Sequence, residues 1–250
     1  VDPTPLFGKS SRGDTILRAG VGVTFDREFS QQRLRLDARA EPNKFATYSK
    51  LDYVGYLAGG RWDWALGSLL YGKIGGNVSQ NLTSFVTASY AADKNLERRS
   101  TVFATAGIRI TPSWSVYVGV DQAKLDNTLA FFKPANATLN GFEGGFQYAP
   151  GTGTEISLLG RHVKGKYDNL QILNNLGEVM QNPVDNSYKQ SALLTRLQIR
   201  PSDDSRIAGE FGYTNRKYDL VPQRDFSGPT MGFNIEWKPT GAFGMRLDLV

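Results

Sequence analysis

The stretch QRLRLDARAE, from Gln32 to Glu41, alternates charged and apolar side chains without a break. Arg33, Arg35 and Arg39 fall on one side of this pattern, and leucines and alanines fall on the other. Because successive side chains of a β-strand point to opposite faces, a period of two predicts a strand with one polar and one apolar face. The apolar face must then meet either a protein core or lipid.

About a dozen segments of the chain repeat this pattern, and most have the roughly 9–11 residues that a tilted strand needs to cross a bilayer. No stretch reaches the roughly 18 consecutive apolar residues of a membrane helix, which excludes a helical membrane protein. The predicted strands are Thr15–Asp26, Gln32–Glu41, Tyr53–Trp64, Leu69–Val78, Thr101–Ile110, Trp114–Leu125, Leu139–Tyr148, Glu155–Lys164, Ser191–Arg200, Arg206–Arg216, Thr230–Trp237 and Ala242–Leu249.

The connections between these segments alternate between short turns and long loops. Short turns rich in Pro, Gly, Asp and Ser are followed by polar loops such as Ser79–Ser100 and Gly165–Gln190. Short turns on one rim and long loops on the other are typical of outer-membrane barrels, with the short rim in the periplasm. The fold class predicted is all-β: an antiparallel transmembrane β-barrel meander of about 12 strands in the bacterial outer membrane. A soluble β-sandwich, with its apolar face in a core, is the alternative.

The order of the connections bears on the domain organisation. We expect residues 1–14 to form a loop tail and residues 15–250 a single barrel domain. The first connection, Arg27–Gln31, is short, although the first connection of a barrel that begins in the periplasm should be long. We therefore expect the chain to be an internal piece of a larger barrel of about 16–18 strands.

Aromatic residues gather at the short-turn rim. Trp and Tyr are enriched where one end of a ring is apolar and the other is wet. Core aromatics near hairpin ends would be the plain alternative. The predicted aromatic girdle consists of Trp62, Trp64, Trp114, Phe146, Tyr148 and Trp237.

The polar face collects arginines, and these are the candidate lumen-lining residues. Guanidinium groups suit carboxylates and sugar hydroxyls, so the arginines could line a track for a polyhydroxylated chain. Cross-strand ion pairs with carboxylates that stabilise the barrel wall are the alternative interpretation. The candidates are Arg33, Arg35, Arg39, Arg61, Arg109, Arg161, Arg196 and Arg200, of which the three on one strand (Arg33, Arg35 and Arg39) stand out.

The sequence indicates no catalytic residue, no metal site and no cofactor. His162 is the sole histidine and cysteine is absent, so a His/Cys metal site cannot be assembled. His162 is expected on the lipid face, and no pattern marks Ser157 or Ser191 as a nucleophile. The net charge of +5 is spread along the strands, which does not favour a nucleic-acid partner. The apolar residues of the loop Gly165–Gln190 suggest a constriction, a cover over the mouth or external decoration.

Several segments resemble a known family, the EpsL-type outer-membrane β-barrels encoded with exopolysaccharide and exosortase-B systems. The resemblance implies a role in exopolysaccharide production or export and carries over no functional residue. Outer-membrane lipid is the expected partner, with exopolysaccharide and periplasmic export components as further candidates. A general diffusion porin for small solutes and a barrel enzyme acting on lipid or glycan are the alternatives. The matching segments are LFGKSSRGDT (Leu6–Thr15), SKLDYVGY (Ser49–Tyr56), WDWALG (Trp62–Gly67), GYTNRKYD (Gly212–Asp219), QRDFSGPT (Gln223–Thr230) and EWKPTG (Glu236–Gly241).

Overall fold

The structure is a computed structural model that describes residues 14–83, 94–151, 153–168, 170–173, 179–202, 205–240 and 243–249. Apart from Asp14, the expected loop tail 1–14 lies outside these residues, as do 84–93 and 174–178 of two predicted loops. The strands are β1 Ile16–Arg18, β2 Val21–Phe29, β3 Gln32–Phe45, β4 Tyr53–Leu66, β5 Leu70–Leu82, β6 Leu96–Arg109, β7 Trp114–Asn127, β8 Ala137–Gly151, β9 Thr154–Tyr167, β10 Leu170–Leu173, β11 Val179–Val184, β12 Tyr188–Ser202, β13 Ser205–Tyr218, β14 Phe226–Thr240 and β15 Phe243–Leu249.

Thirteen of these strands form one antiparallel sheet that follows chain order, which confirms the predicted meander. The remaining two, β10 and β11, pair only with each other in the described structure, so β9 pairs with β12. Within the described residues, β1 and β2 pair with β3 alone and β15 pairs with β14 alone. That further strands extend the sheet stays a prediction. None of the described helical segments is long and apolar enough to span a membrane.

The first predicted strand, Thr15–Asp26, is wrong as a single element. The structure divides it into β1 and β2, although Arg18 opposite Asn43 and Val21 opposite Ala40 keep one continuous register. Between them the Ala19 amide donates to the Pro42 carbonyl at 3.3 Å. Pro42 has no N–H to donate in return, and a proline therefore interrupts the ladder.

The strands also run further toward the long-loop rim than the alternating pattern predicts. The predicted strand Ser191–Arg200 is β12, which begins at Tyr188, and Thr101–Ile110 is β6, which begins at Leu96. Polar residues continue the backbone ladder there because strand pairing does not require apolar side chains. The predicted loop Gly165–Gln190 contains the hairpin β10–β11, and its role at the mouth stays a prediction.

The strand bounds confirm that long and short connections lie on opposite rims. All of the long connections join the same ends of the strands, and all of the short ones join the other ends. The long connections are 46–52, 83–95, 128–136, 168–187 and 219–225, and the short ones are 30–31, 67–69, 110–113, 152–153, 203–204 and 241–242.

The two faces of the sheet differ sharply. On β7, Trp114, Val118 and Val120 are each about half exposed, whereas Ser115 and Gly119, on the opposite face, are buried. The apolar outward face continues across the sheet with side chains as exposed as Val21 at 73% and Met231 at 69%. Soluble monomers rarely expose an apolar surface of this extent, so lipid is the matching environment.

A carboxylate outside the strands clamps the loop 46–52. Asp52 accepts hydrogen bonds from the Phe45 amide at 2.8 Å and from the Lys44 ammonium at 2.9 Å, and Lys94 donates to its carbonyl. The Phe45 amide hydrogen bond and the Lys44 hydrogen bond lower the pKa of Asp52 from its ordinary value of 3.8. A lowered pKa means that this stabilisation is present above pH 3.8 and is lost as the pH falls through the folded-state pKa.

We therefore predict that the Phe45 amide loses protection from hydrogen exchange below about pH 3.8, after correction for the intrinsic rate. Asp52→Asn should lower the protection at neutral pH and remove most of its pH dependence. The measurement is hydrogen exchange of the refolded protein between pH 3 and pH 7. Identical profiles for the variant and the wild type would contradict this account of the loop.

Candidate functional site: a polar track on the concave face

The polar face of the sheet is concave. The Tyr71 hydroxyl on β5 lies 2.9 Å from Ser115 Oγ on β7 and 3.2 Å from Gln147 Oε1 on β8. Neighbouring strands are roughly 4.8 Å apart, so a side chain that contacts the third strand along requires a strongly curved sheet. A recess of about 450 Å³ on this face is lined by residues from Tyr71 on β5 to Gly232 on β14. The curved wall thus surrounds a polar interior.

Five charged residues on five consecutive strands form a ladder across this interior, which we call the ion ladder. Arg161 on β9 pairs with Asp121 on β7 at 2.9 Å and with Glu143 on β8 at 2.9 Å. Arg196 on β12 pairs with Glu143 at 3.1 Å and with Glu210 on β13 at 2.6 Å. Glu143 is therefore the shared carboxylate, and its side chain is only 13% exposed.

A glycine makes the contact between Arg161 and Asp121 possible. Gly141 on β8 lies opposite Asp121, between the strands that carry Asp121 and Arg161. A Cβ at this position would lie 2.5 Å from Asp121 Oδ1 and 2.8 Å from Arg161 Nη2. The absent side chain therefore leaves the space in which the two charged groups meet.

The arginines singled out on β3 are also held by carboxylates. Arg33 pairs with Asp26 on β2 at 2.7 Å, and Arg35 lies 3.4 Å from the same carboxylate. Arg39 pairs with Glu41 on its own strand at 2.8 Å. The contacts of Arg33 and Arg35 are cross-strand, as the wall-stabilising interpretation requires, whereas the ion pair of Arg39 lies within one strand.

The remaining candidate arginines are placed as follows. Arg61 pairs with Asp63 at 2.8 Å, and the guanidinium of Arg109 lies over the Tyr71 ring at 4.8 Å. Arg109 also lines a recess of about 880 Å³ at the short-turn rim, together with Arg33. Arg200 is exposed near the end of β12, where its backbone amide donates to the Gly153 carbonyl at 2.7 Å. The arginines therefore extend along the polar face without forming one cluster.

Aromatic rings continue the track at the long-loop mouth. The ring of Tyr188 lies 6.4 Å from that of Tyr167 and 5.6 Å from that of Tyr218, and the guanidinium of Arg216 lies 4.5 Å over it. A recess of about 370 Å³ connects this mouth cluster to the ion ladder, because Arg161, Arg196 and Arg216 all line it. Sequence reasoning missed the mouth cluster. Tyr188 and Tyr167 lay within a predicted loop, and register alone brings them together.

The predicted girdle residues lie on the outward face near the short-turn rim. Trp62, Trp114, Phe146 and Trp237 are about half exposed, and Trp64 and Tyr148 are partly buried. The rings of Trp114 and Tyr148 are 4.6 Å apart, and the indole N–H of Trp62 donates to Gln32 at 2.7 Å. This geometry is compatible with an aromatic girdle, and the position of these residues at the membrane interface stays a prediction.

His162 also lies on the outward face, where its Nδ1 is 3.0 Å from Ser191 Oγ. Ser157 lies on the concave face and is buried. No third described group hydrogen-bonds the imidazole, whereas nucleophilic catalysis requires a partner that orients the base. Among the described residues no group of three or more candidate side chains could hold a metal ion.

The sheet has an apolar outward face and a polar concave face, and the height of the apolar face approaches the roughly 25 Å band of outer-membrane barrels. From Trp114 to Gln122 on β7, the nine residues span roughly 26 Å along the strand and, at a tilt of about 40°, roughly 20 Å across the membrane. The chain is a transmembrane β-sheet protein of the outer-membrane type.

No protein-family model and no curated protein matches the chain. Among solved structures it is similar to a mutant of the TodX monoaromatic hydrocarbon channel, at 8% identity and a TM-score of 0.44 over 94% of this chain and 77% of that one. It is also similar to a mutant of the ferric enterobactin receptor PfeA from Pseudomonas aeruginosa, at 13% identity and a TM-score of 0.49, with 90% of this chain and 39% of that one covered. LpxR from Salmonella typhimurium shows 10% identity and a TM-score of 0.41, with 86% of each chain covered.

The ion ladder predicts an asymmetry between two carboxylate variants. Glu143→Gln removes the shared carboxylate from two half-buried guanidinium groups and should lower the free energy of unfolding by about 2–3 kcal/mol. Glu210→Gln removes one partner of Arg196 at a more exposed position and should cost less than about 1 kcal/mol. Urea unfolding of the refolded protein in lipid vesicles measures both values. A cost for Glu143→Gln no larger than that for Glu210→Gln would contradict the role of Glu143 as the shared carboxylate of the ion ladder.

Proposed function

We propose that the chain forms the wall of a passage or docking component for an exopolysaccharide in the bacterial outer membrane, with no chemistry of its own. The observation that carries this proposal is the continuity of the polar track. It runs from the recess at Tyr71 and Gln147, past the ion ladder, to the mouth cluster around Tyr188.

The chemistry of the track suits a polyhydroxylated chain better than a small ion. Each ladder arginine already shares its charge with carboxylates, so the track offers many weak polar contacts instead of one strong anion site. A long chain can exchange such contacts stepwise as it moves. Tyrosine rings at the mouth add flat apolar faces beside hydrogen-bonding groups. A sugar ring has the same combination, with apolar C–H groups on its faces and hydroxyl groups at its edge.

The resemblance to EpsL-type barrels supports the choice of an exopolysaccharide over other hydroxylated chains. On this proposal the outward face contacts outer-membrane lipid, and periplasmic export components are the expected partners at the short-turn rim. The membrane-facing surface and the strand length already fit the first of these partners.

A general diffusion porin for small solutes is the second candidate. The observation in its favour is the larger recess of about 880 Å³ at the short-turn rim, where Arg33 and Arg109 lie near Lys73. A porin with this site should conduct small ions and ignore a polysaccharide.

Single-channel conductance of the intact protein in a planar bilayer, with and without exopolysaccharide from its own host, tests the proposal. We expect steady conductance that the polysaccharide blocks reversibly. Arg216→Gln, at the mouth cluster, should weaken the block about tenfold, since it removes a charge-assisted contact and uncovers Tyr188. Lys217→Gln is the matched control, because it removes the same charge from the adjacent, outward-facing position.

Two outcomes would overturn the proposal. Conductance that the polysaccharide leaves unchanged would favour the general porin. No conductance from a correctly folded protein would mean a plugged or structural role, and export through this wall would have to be abandoned.

A further inference from the structure

Lysines lie on the outward face of β7, β9, β12 and β13 at the long-loop ends of these strands. Lys164 on β9 lies directly opposite Lys189 on β12, and Lys189 lies directly opposite Lys217 on β13. Lys124 on β7 and Lys166 on β9 flank this row, with Thr138 on β8 opposite both of them. All five lysine side chains are exposed. We call these five residues the lysine row.

The lysine row is electrostatically unfavourable within the protein alone. Side chains directly opposite each other on antiparallel strands have Cβ atoms roughly 5 Å apart, and like charges in this arrangement are destabilising. Lys124 has a partner in Asp126 at 2.9 Å, and Lys189 lies 4.0 Å from Asp219. Lys164, Lys166 and Lys217 make no ion pair with a carboxylate of the described residues.

The carboxylates nearby lie on the loop side of the row. Asp168, Asp185 and Asp219 line a recess of about 440 Å³ together with Lys164 and Lys166. These three carboxylates belong to the long connections or their borders, whereas the lysines belong to strands. The lysines therefore form a positively charged layer nearer the membrane. The carboxylates of the long connections lie nearer water.

A second row fixes the height of the lysines relative to the apolar band. Register places His162, Ser191, Asn215 and Ser227 side by side on the outward face of β9, β12, β13 and β14. A hydrogen bond of 3.0 Å joins His162 and Ser191, and Asn215 donates a hydrogen bond to Ser227 at 3.2 Å. On β12 the next outward position is Leu193, which is 59% exposed. The lysines thus lie one step beyond the polar edge of the apolar band, at headgroup height.

We propose that the lysine row binds the phosphorylated headgroups of lipids in the outer leaflet. The long-loop rim of an outer-membrane barrel faces the exterior, so the row meets the outer leaflet. A lysine ammonium is a compact point charge that suits phosphate, and basic residues beside a transmembrane surface attract anionic headgroups. A phosphate bound between Lys164, Lys189 and Lys217 would be attracted by all three ammonium groups and would offset the repulsion between them.

The test is binding of diphosphoryl lipid A to the intact, detergent-refolded protein, measured by native mass spectrometry. The double variant Lys164→Gln/Lys189→Gln should bind lipid A roughly 20-fold more weakly. Lys50→Gln/Lys133→Gln is the matched control, since it removes the same charge from exposed positions in the loops, and it should change binding less than about twofold. Heat-modifiable migration on gels verifies that both variants are folded.

Three results would overturn the proposal. Equal weakening by the two double variants would show that net charge alone governs binding. Equal binding of a lipid A without phosphates would show that the acyl chains decide. Displacement of lipid A by inorganic phosphate or by an acidic peptide at the same concentration would assign the row to another ligand.

Discussion

The hydrocarbon core of a bilayer offers no partner for backbone N–H and C=O groups, and this constraint shapes the whole chain. Every strand must pair on both sides wherever it meets lipid. Apart from the separate pair β10–β11, ladders from β3 to β14 meet this demand over strands of 13–15 residues, and the register shifts of β8–β9 and β12–β13 lie beside their short turns. A fixed register in turn fixes the face of each side chain. The lipid requirement thereby determines where the arginines, glycines and aromatic residues point.

Most arginines on the concave face are paired with other side chains of the wall. Many of these arginines share their charge: Asp121, Glu143 and Glu210 pair with the arginines of the ion ladder, and Asp26 and Glu41 pair with arginines on β3. Arg109 and Arg216 instead lie over tyrosine rings. Stabilising the wall and lining the interior are therefore compatible roles of the same residues. A guanidinium that shares a carboxylate still has N–H donors for a passing hydroxyl group.

The sequence was sufficient to predict most of the strands of the large sheet, their order, the two rims and the side-chain faces. Each of these depends on local alternation and turn chemistry, as in Gln32–Glu41 and the short turn before Trp114. It was insufficient where partners lie far apart in the chain. Examples are Arg196 with Glu143 across an intervening strand, and Tyr188 beside both Tyr167 and Tyr218. The sequence analysis also missed buried asparagines at the long-loop rim, where Asn95 donates a hydrogen bond to Asn127 at 2.7 Å. An asparagine in a predicted loop is expected to be exposed to solvent. The first predicted strand is divided because Pro42 on β3 lies opposite Ala19 and has no N–H to donate. The sequence alone does not show which residue lies opposite Pro42.

Cysteine scanning along β12 tests the central claim most directly, because the natural chain contains no cysteine. Single cysteines at positions 192–197 would carry a fluorescent probe in protein refolded into vesicles. We predict that probes at Leu193, Thr195 and Leu197 are quenched by brominated lipid, and that probes at Ala192, Leu194 and Arg196 are not. Protection of the first set from both lipid and aqueous quenchers would mean that the apolar face packs in a protein core, and the membrane account would be wrong.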